Sequence, residues 1–236
     1  MEFRRYTLRP RQRDMLIALF ERELIEPQEG AGMLVIGQFV DVDEPRDFVW
    51  LRGFTDMRAR RESLSAFYEG PVWEANRDAA NATMVASDDV LLLRPARRGA
   101  AFDLGRDRPP VGAHPRRRGA VAATVVSLAT ASAEASALEA FESAIAPAIA
   151  DAGGTVLGYF VTESSRNDFP RLPVREGEHV LVWFAGFADL PALDAAAEPL
   201  REAAAAAFRG QDSIRRVDHL RLVPTARTLL TGRTSP

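Results

Sequence analysis

The chain of 236 residues contains two copies of one sequence pattern. At an offset of 121, apolar, acidic and glycine positions recur as Ile17/Leu138, Phe20/Phe141, Glu21/Glu142, Leu24/Ile145, Gly32/Gly153, Gly37/Gly158, Phe39/Phe160 and Val40/Val161. Twelve additional residues then enter the second half around residues 164–178, and the offset of 133 beyond them pairs Val49/Val182, Trp50/Trp183, Gly53/Gly186, Phe54/Phe187 and Asp56/Asp189. So many matches in order predict a tandem duplication of a module of about 110 residues.

Each copy has the order strand–helix–strand–strand–helix–strand. The first has predicted strands at residues 3–8, 33–40, 48–54 and 90–93 and helices at 14–26, 57–69 and 72–82. The second has predicted strands at 120–130, 156–162, 180–187 and 218–223 and helices at 134–150 and 191–208. Asp56 and Asp189 stand where helix N-caps belong. The order predicts an α+β fold in which two tandem ferredoxin-like (βαββαβ) repeats form a pseudo-dimeric α/β barrel.

The duplication divides the chain into four segments. We predict a first repeat over residues 1–95, an Arg/Pro-rich linker over 96–119, a diverged second repeat over 120–224 and a C-terminal tail over 225–236. The linker is strongly basic, with Arg97, Arg98, Arg106, Arg108, Arg116, Arg117 and Arg118 against Asp103 and Asp107. Because Phe102 is its one aromatic residue, we interpret it as a solvated strap rather than an RNA-binding segment.

The composition excludes several classes of enzyme. All 30 basic residues are arginine, so the chain has neither a Schiff-base lysine nor a P-loop lysine. The absence of cysteine excludes thiol nucleophiles, disulfides and Cys-ligated zinc or iron–sulfur clusters. The net charge of -3 favours neither nucleic acid nor an anionic membrane as a partner. With no signal peptide and no apolar run of about 20 residues, the sequence predicts a cytoplasmic protein.

Three motifs lie on predicted strands of the first copy. They are Glu2-Phe3-Arg4-Arg5-Tyr6, Trp50-Leu51-Arg52-Gly53-Phe54-Thr55-Asp56-Met57 and Val90-Leu91-Leu92-Leu93-Arg94-Pro95. Through them, residues 1–95 resemble bacterial members of the NIPSNAP family, whose opening E-L-R-x-Y is similar to the first motif. The resemblance implies the dimeric α/β-barrel superfamily, which includes cofactor-free monooxygenases, haem enzymes and interaction proteins. Membership in that superfamily therefore does not select a chemistry.

The two copies differ in their ionisable residues. Glu2, Arg4, Tyr6 and Arg52 of the first copy are replaced by non-ionisable residues in the second, with Ala185 opposite Arg52. We therefore predict a substrate-binding site in the first repeat, formed by Tyr6, Trp50, Arg52, Phe67, Trp73 and Arg77. Arg52 in an aromatic stripe is suited to hold a carboxylate or enolate, and its alternative role is a structural ion pair with Glu2 or another acidic residue. The alternative for Tyr6 and Trp73 is simple packing in the core.

Two functions are consistent with these features. The first is to bind or transform a small aromatic or polyketide-like molecule in a dry, aromatic-lined pocket without a bound cofactor. The second is a non-catalytic scaffold with a packed barrel, in which residues 164–178, with Pro170 and Pro173, form a partner-facing loop. No two of the three histidines have metal-ligand spacing, so no metal site is expected, although haem ligation by one histidine stays open. We assign no catalytic residue and expect a homodimer.

Overall fold

Eight antiparallel β-strands close into a barrel in the computed structural model, which describes residues 1–104, 107–114 and 119–232. The strands are β1 (Glu2–Leu8), β2 (Leu34–Asp41), β3 (Asp47–Gly53), β4 (Met84–Pro95), β5 (Ala120–Leu128), β6 (Thr155–Thr162), β7 (His179–Phe187) and β8 (Ile214–Pro224). Around the barrel they follow the order β1-β3-β2-β8-β5-β7-β6-β4.

The barrel order contains the same four-strand sheet twice. The first repeat contributes β4-β1-β3-β2 and the second contributes β8-β5-β7-β6, each the arrangement of a ferredoxin-like βαββαβ unit. Short seams join the two sheets: β2 pairs with β8 over Phe39–Asp41, and β4 pairs with β6 over residues 93–95. The predicted α/β barrel of two tandem ferredoxin-like repeats is confirmed.

Helices cover the outside of each sheet. They are α1 (Arg13–Leu19), α2 (Ile25–Gly30), α3 (Met57–Tyr68), α4 (Pro71–Thr83), α5 (Glu134–Ala140), α6 (Ala146–Asp151) and α7 (Leu190–Ala207). Both predicted N-caps are confirmed, because Asp56 accepts a hydrogen bond from the backbone N–H of Ala59 at 2.7 Å and Asp189 accepts one from Ala192 at 2.9 Å. None of the described helices is long and apolar enough to cross a membrane.

A π-helical turn interrupts the first helix of each repeat. Phe20–Leu24 lies between α1 and α2, and Phe141–Ile145 lies at the equivalent place between α5 and α6. In both repeats the first phenylalanine packs on a strand tryptophan: Phe20 lies 4.9 Å from Trp50, and Phe141 lies 5.0 Å from Trp183. The sequence predicts continuous helices here, because apolar spacing near four residues does not distinguish a π turn from an α turn.

The interior of the barrel is filled by apolar side chains from both repeats. Phe3 of β1 meets Phe184 of β7 edge-on, with ring centroids 5.6 Å apart, inside one continuous buried cluster. Phe102 of the linker packs against the same cluster, 5.1 Å from Phe184. The linker is therefore more than a solvated strap, and Arg108 ties it to Glu29 at 2.5 Å. Arg106 and residues 115–118, which contribute to its predicted basic character, lie outside the described residues.

Candidate functional site

A buried carboxylate surrounded by three arginines lies between the sheet and the helices of the first repeat. Glu2 on β1 accepts from Arg4 Nη1 at 2.6 Å, from Arg52 Nε at 2.6 Å and from Arg60 Nε at 2.7 Å. Glu2 and Arg52 are direct partners in the β1–β3 ladder, and Arg60 reaches them from α3. All four side chains are at most 1% exposed. The Arg52–Glu2 ion pair considered from the sequence is therefore present, as part of a larger cluster.

The arginines determine the protonation state of Glu2. Burial alone would raise the pKa of this carboxyl, but the positive charges of Arg52, Arg4 and Arg60 outweigh it and hold the pKa well below its ordinary value. Glu2 is therefore ionised at neutral pH. Among the fully buried groups one negative charge faces three positive charges, and the partly exposed Asp168 adds a second carboxylate on Arg60.

The remaining guanidinium donors extend the cluster. Arg4 Nε donates to Tyr6 Oη at 3.0 Å, and Arg52 Nη1 donates to Gln28 Oε1 at 3.2 Å and to Tyr68 Oη at 3.4 Å. The Nη2 atoms of Arg52 and Arg60 are buried and have no hydrogen-bond partner among the described residues. Because buried charged donors are almost always paired, these two nitrogens are the donors of the cluster that a bound anion or polar group could satisfy.

An aromatic-lined cavity of about 30 Å³ adjoins this cluster. Four of the six residues predicted from the sequence line it, namely Tyr6, Trp50, Phe67 and Trp73. Gln28, Tyr68 and apolar side chains of the first helix complete its walls. Arg52 is not among the lining residues, but its guanidinium carbon lies 5.0 Å from the ring centroid of Trp50, which is one of them. In this conformation the cavity has room for about one or two water molecules.

Arg77 does not join the other predicted residues. Its side chain is 51% exposed and pairs with Asp78 at 3.5 Å. The side of α4 that faces inward carries Trp73, Asn76 and Ala80, and the latter two follow Trp73 by three and seven residues. A residue four positions after Trp73 therefore turns toward solvent.

The most important residue missing from the predicted site is Arg60. Its signal in the sequence is an arginine on the apolar stripe of a helix, four and seven residues before the buried Leu64 and Phe67. Asn167 and Asp168 are also missing, and each accepts a hydrogen bond from Arg60 Nη1 at 3.0 Å. These two residues belong to the insertion of the second repeat, and no feature of the sequence places them beside α3.

The second repeat lacks the charged cluster altogether. Strand register and helix position place neutral residues at the positions of Glu2, Arg4, Arg52 and Arg60, namely Ala122, Thr124, Ala185 and Leu193. These residues line a cavity of about 30 Å³ beneath α7, with Trp183 as the counterpart of Trp50. Among the described residues, no group of three or more His, Asp or Glu side chains is placed to hold a metal ion. The buried charge excess is thus a property of the first repeat.

The stability of the protein should depend on Glu2 at acid pH. The folded-state pKa of Glu2 lies below its unfolded value of roughly 4.3, so the stabilisation is complete above that pH and is lost as the pH falls toward the folded value. We expect the unfolding free energy of the wild type to fall more steeply than that of Glu2→Gln below about pH 4, by up to ~1.4 kcal/mol per pH unit. Urea unfolding at pH 5, 4 and 3 measures both slopes, and parallel slopes would contradict the role given to Glu2.

Comparisons with known proteins agree with this fold. A monooxygenase candidate from Lactobacillus acidophilus NCFM shares 12% identity over 98% of this chain and 97% of its own, with a TM-score of 0.55. A second monooxygenase candidate, from Fusobacterium nucleatum, shares 9% identity over 98% and 95%, with a TM-score of 0.55. An anthrone oxidase-like protein shares 13% identity over 95% and 90%, with a TM-score of 0.53. At such identities the likeness concerns the fold alone, and no curated protein matches the chain.

The family comparison concerns the half of the barrel that contains the charged cluster. The NIPSNAP family model matches residues 1–98, which span β1 to β4 and include Glu2, Arg4, Arg52 and Arg60. The match ends just beyond the first predicted repeat. The amino-terminal repeat of this α/β-barrel protein is therefore similar to the NIPSNAP family.

Proposed function

We propose that the first repeat binds and transforms a small aromatic or polyketide-like anion between its helices and its sheet, without a bound cofactor. The observation that carries this proposal is the buried excess of positive charge beside an aromatic-lined cavity. The unpaired Nη2 atoms of Arg52 and Arg60 lie in that charge cluster. Leaving such donors unsatisfied costs free energy, and an anionic ligand that accepted their hydrogen bonds would remove this cost.

The protonation states at the site favour a substrate that arrives as an anion. Tyr6 and Tyr68 are the titratable residues among those that line the cavity, within the described part of the chain. Burial raises the pKa of Tyr6, so its hydroxyl stays protonated and serves as a donor. The lowered pKa of Glu2 makes it a poor general base. A compound that is itself acidic, such as a phenol or a 1,3-dicarbonyl, needs no strong base from the protein.

The proposed reaction is oxidation of such an anion by dioxygen. The names of the structural neighbours, monooxygenase and anthrone oxidase-like protein, describe chemistry of this kind. A carbanion conjugated with a carbonyl forms a C–O bond to dioxygen and gives a peroxide. Loss of the remaining C–H proton with cleavage of the O–O bond then leaves a new carbonyl and hydroxide, which takes up a proton and leaves as water. Arg52 would stabilise the enolate by a charge-assisted hydrogen bond from Nη2, in a site that excludes water.

Binding of 1,8-dihydroxyanthrone tests the proposal. We expect this compound to raise the melting temperature of the wild type in a concentration-dependent manner, since a ligand of the native state stabilises it by mass action. Arg52→Met keeps the packing volume but removes the donor, and should weaken binding by at least roughly tenfold, the worth of a buried charged hydrogen bond. Oxygen consumption and anthraquinone absorbance then report on turnover.

Arg77→Ala is the matched control, because it removes an arginine of the same repeat that lies outside the cavity. It should bind 1,8-dihydroxyanthrone as the wild type does. Equal binding by all three proteins would remove Arg52 from the site, and the absence of any thermal shift in the wild type would refute the proposed ligand class.

A scaffold function is the second candidate, and the packed barrel interior favours it. The insertion does not extend freely as that function would require, because Phe169 is buried against the first repeat. Pro170 and Pro173 nevertheless remain on its outer, exposed side. Homodimer formation, cytoplasmic location and the absence of nucleic-acid and membrane partners stay predictions from the sequence.

A further inference from the structure

The insertion of the second repeat covers the candidate site of the first. It leaves the barrel after β6 and returns at β7, and between them Phe169 and Leu172 pack into the apolar cluster of the first repeat. The Phe169 ring lies 6.2 Å from the ring of Tyr68, one of the residues that line the cavity. A segment of one repeat thus closes a site built by the other.

The adjacent Asp168 contributes a charge to the same site. Its Oδ1 lies 3.0 Å from Nη1 of the buried Arg60, which is its one ion-pair partner among the described residues. Asp168 is 28% exposed, whereas Arg60 is 1% exposed. The aspartate therefore approaches the buried cluster from the solvent side, along the direction by which an external anion would enter.

Together, Asp168 and Phe169 present a carboxylate on a buried arginine and a phenyl ring on an aromatic wall. A small aromatic acid carries the same two groups. Because the closed cavity measures only about 30 Å³, such a ligand needs the space that these two side chains occupy. Their removal would expose both a guanidinium donor and an apolar surface.

The base of the insertion is anchored separately from the tip that carries Asp168 and Phe169. A cavity of about 270 Å³ lies between the insertion and strands β4 and β6. Arg175 holds the base of the insertion on strand β4. Its Nη1 lies 3.0 Å from Asp89 Oδ1, and its backbone N–H donates to the Val90 carbonyl at 2.9 Å. The base of the segment is thus pinned by Arg175, whereas its tip is held on the site by two hydrogen bonds from Arg60 and by the apolar contacts of Phe169 and Leu172.

We propose that residues 164–178 form a lid on the first repeat, in which Asp168 and Phe169 occupy the place of an aromatic carboxylate. A ligand with an aryl ring and an adjacent carboxylate displaces them, and its carboxylate binds Arg60. This inference rests on the proposed function and specifies its ligand class. Asp168 is then a specificity-determining residue, because it competes with the carboxylate of a ligand for the guanidinium of Arg60.

The probe is 2-naphthoate, with uncharged 2-naphthamide as its isosteric comparison. Asp168→Asn keeps the shape of the side chain but removes its charge, so we expect it to bind 2-naphthoate at least tenfold more tightly than the wild type, with 2-naphthamide affected less than twofold. Asp212→Asn removes an exposed carboxylate of the second repeat and should leave both affinities unchanged. Phe169→Ala should accelerate association of 2-naphthoate in stopped-flow fluorescence, because the lid loses its apolar anchor.

The possible failures are separable. Unchanged or weaker 2-naphthoate binding by Asp168→Asn, with 1,8-dihydroxyanthrone still bound by the wild type, overturns the lid and leaves the proposed function standing. Equal tightening for 2-naphthoate and 2-naphthamide overturns the carboxylate specificity. If neither 2-naphthoate nor 1,8-dihydroxyanthrone binds any variant, both proposals are wrong.

Discussion

Replacing Glu2 with alanine is expected to lower the free energy of unfolding by about 3–5 kcal/mol. The mutation removes the carboxylate on which three fully buried guanidinium groups converge. Those groups then repel one another in a medium that screens them poorly, and breaking a buried ion pair from one side leaves its partner's charge uncompensated. Urea denaturation at pH 7, followed by tryptophan fluorescence, measures the change.

The control for this prediction is an ion pair at the surface. Glu23 pairs with Arg22 at 2.7 Å, and both side chains are exposed. Glu23→Ala should therefore alter the unfolding free energy by less than about 1 kcal/mol. If Glu2→Ala also costs less than about 1 kcal/mol, the cluster is not the electrostatic unit described above.

Removing the whole cluster should be far less damaging than removing its carboxylate alone. We expect the quadruple variant Glu2→Leu/Arg4→Met/Arg52→Met/Arg60→Leu to be at least about 2 kcal/mol more stable than Glu2→Ala, because apolar residues of similar volume replace buried charges at little or no net cost. The second repeat already folds with neutral residues at the equivalent positions, from Ala122 to Leu193. The same urea titration compares the two variants.

The quadruple variant also separates stability from binding. It should be folded yet unable to bind 1,8-dihydroxyanthrone, because all three guanidinium groups are gone. A quadruple variant less stable than Glu2→Ala would mean that the cluster supports the fold through its hydrogen bonds to Tyr6 and Gln28 rather than through charge balance.

Most of the fold could be predicted because the same pattern of apolar and glycine positions occurs twice in the chain. An apolar position that is ambiguous in one copy is resolved by its equivalent in the other, as Trp183 supports the strand assignment of Trp50. The last strand of each repeat was harder to delimit. Strand β4 begins at Met84 rather than near residue 90, because residues 84–89 have neither a buried side chain nor an alternation of apolar and polar residues that would indicate a strand.

The site could be predicted only where it depends on one strand or one helix. Strand parity places Arg52 beside Trp50, and both lie as expected. The placement of Arg77 in the site is wrong, because Asn76, one residue earlier on α4, faces inward while Arg77 faces solvent. The i, i+4 spacing from Trp73 does not distinguish these two positions. The contact of Asp168 with Arg60 joins residues 108 positions apart in different repeats, and only the closed barrel brings them together.

The paired π turns bear on how this protein arose. Such turns are rare in helices and frequent at functional sites, and here one occupies the same five positions of both repeats. A single origin, before the duplication, accounts for both. The ancestor was then one module that already carried the turn, and two of its chains would have had to meet to complete an eight-stranded barrel. In the single polypeptide the two halves are free to differ, and here one contains the buried charge while the other supplies the segment that covers it.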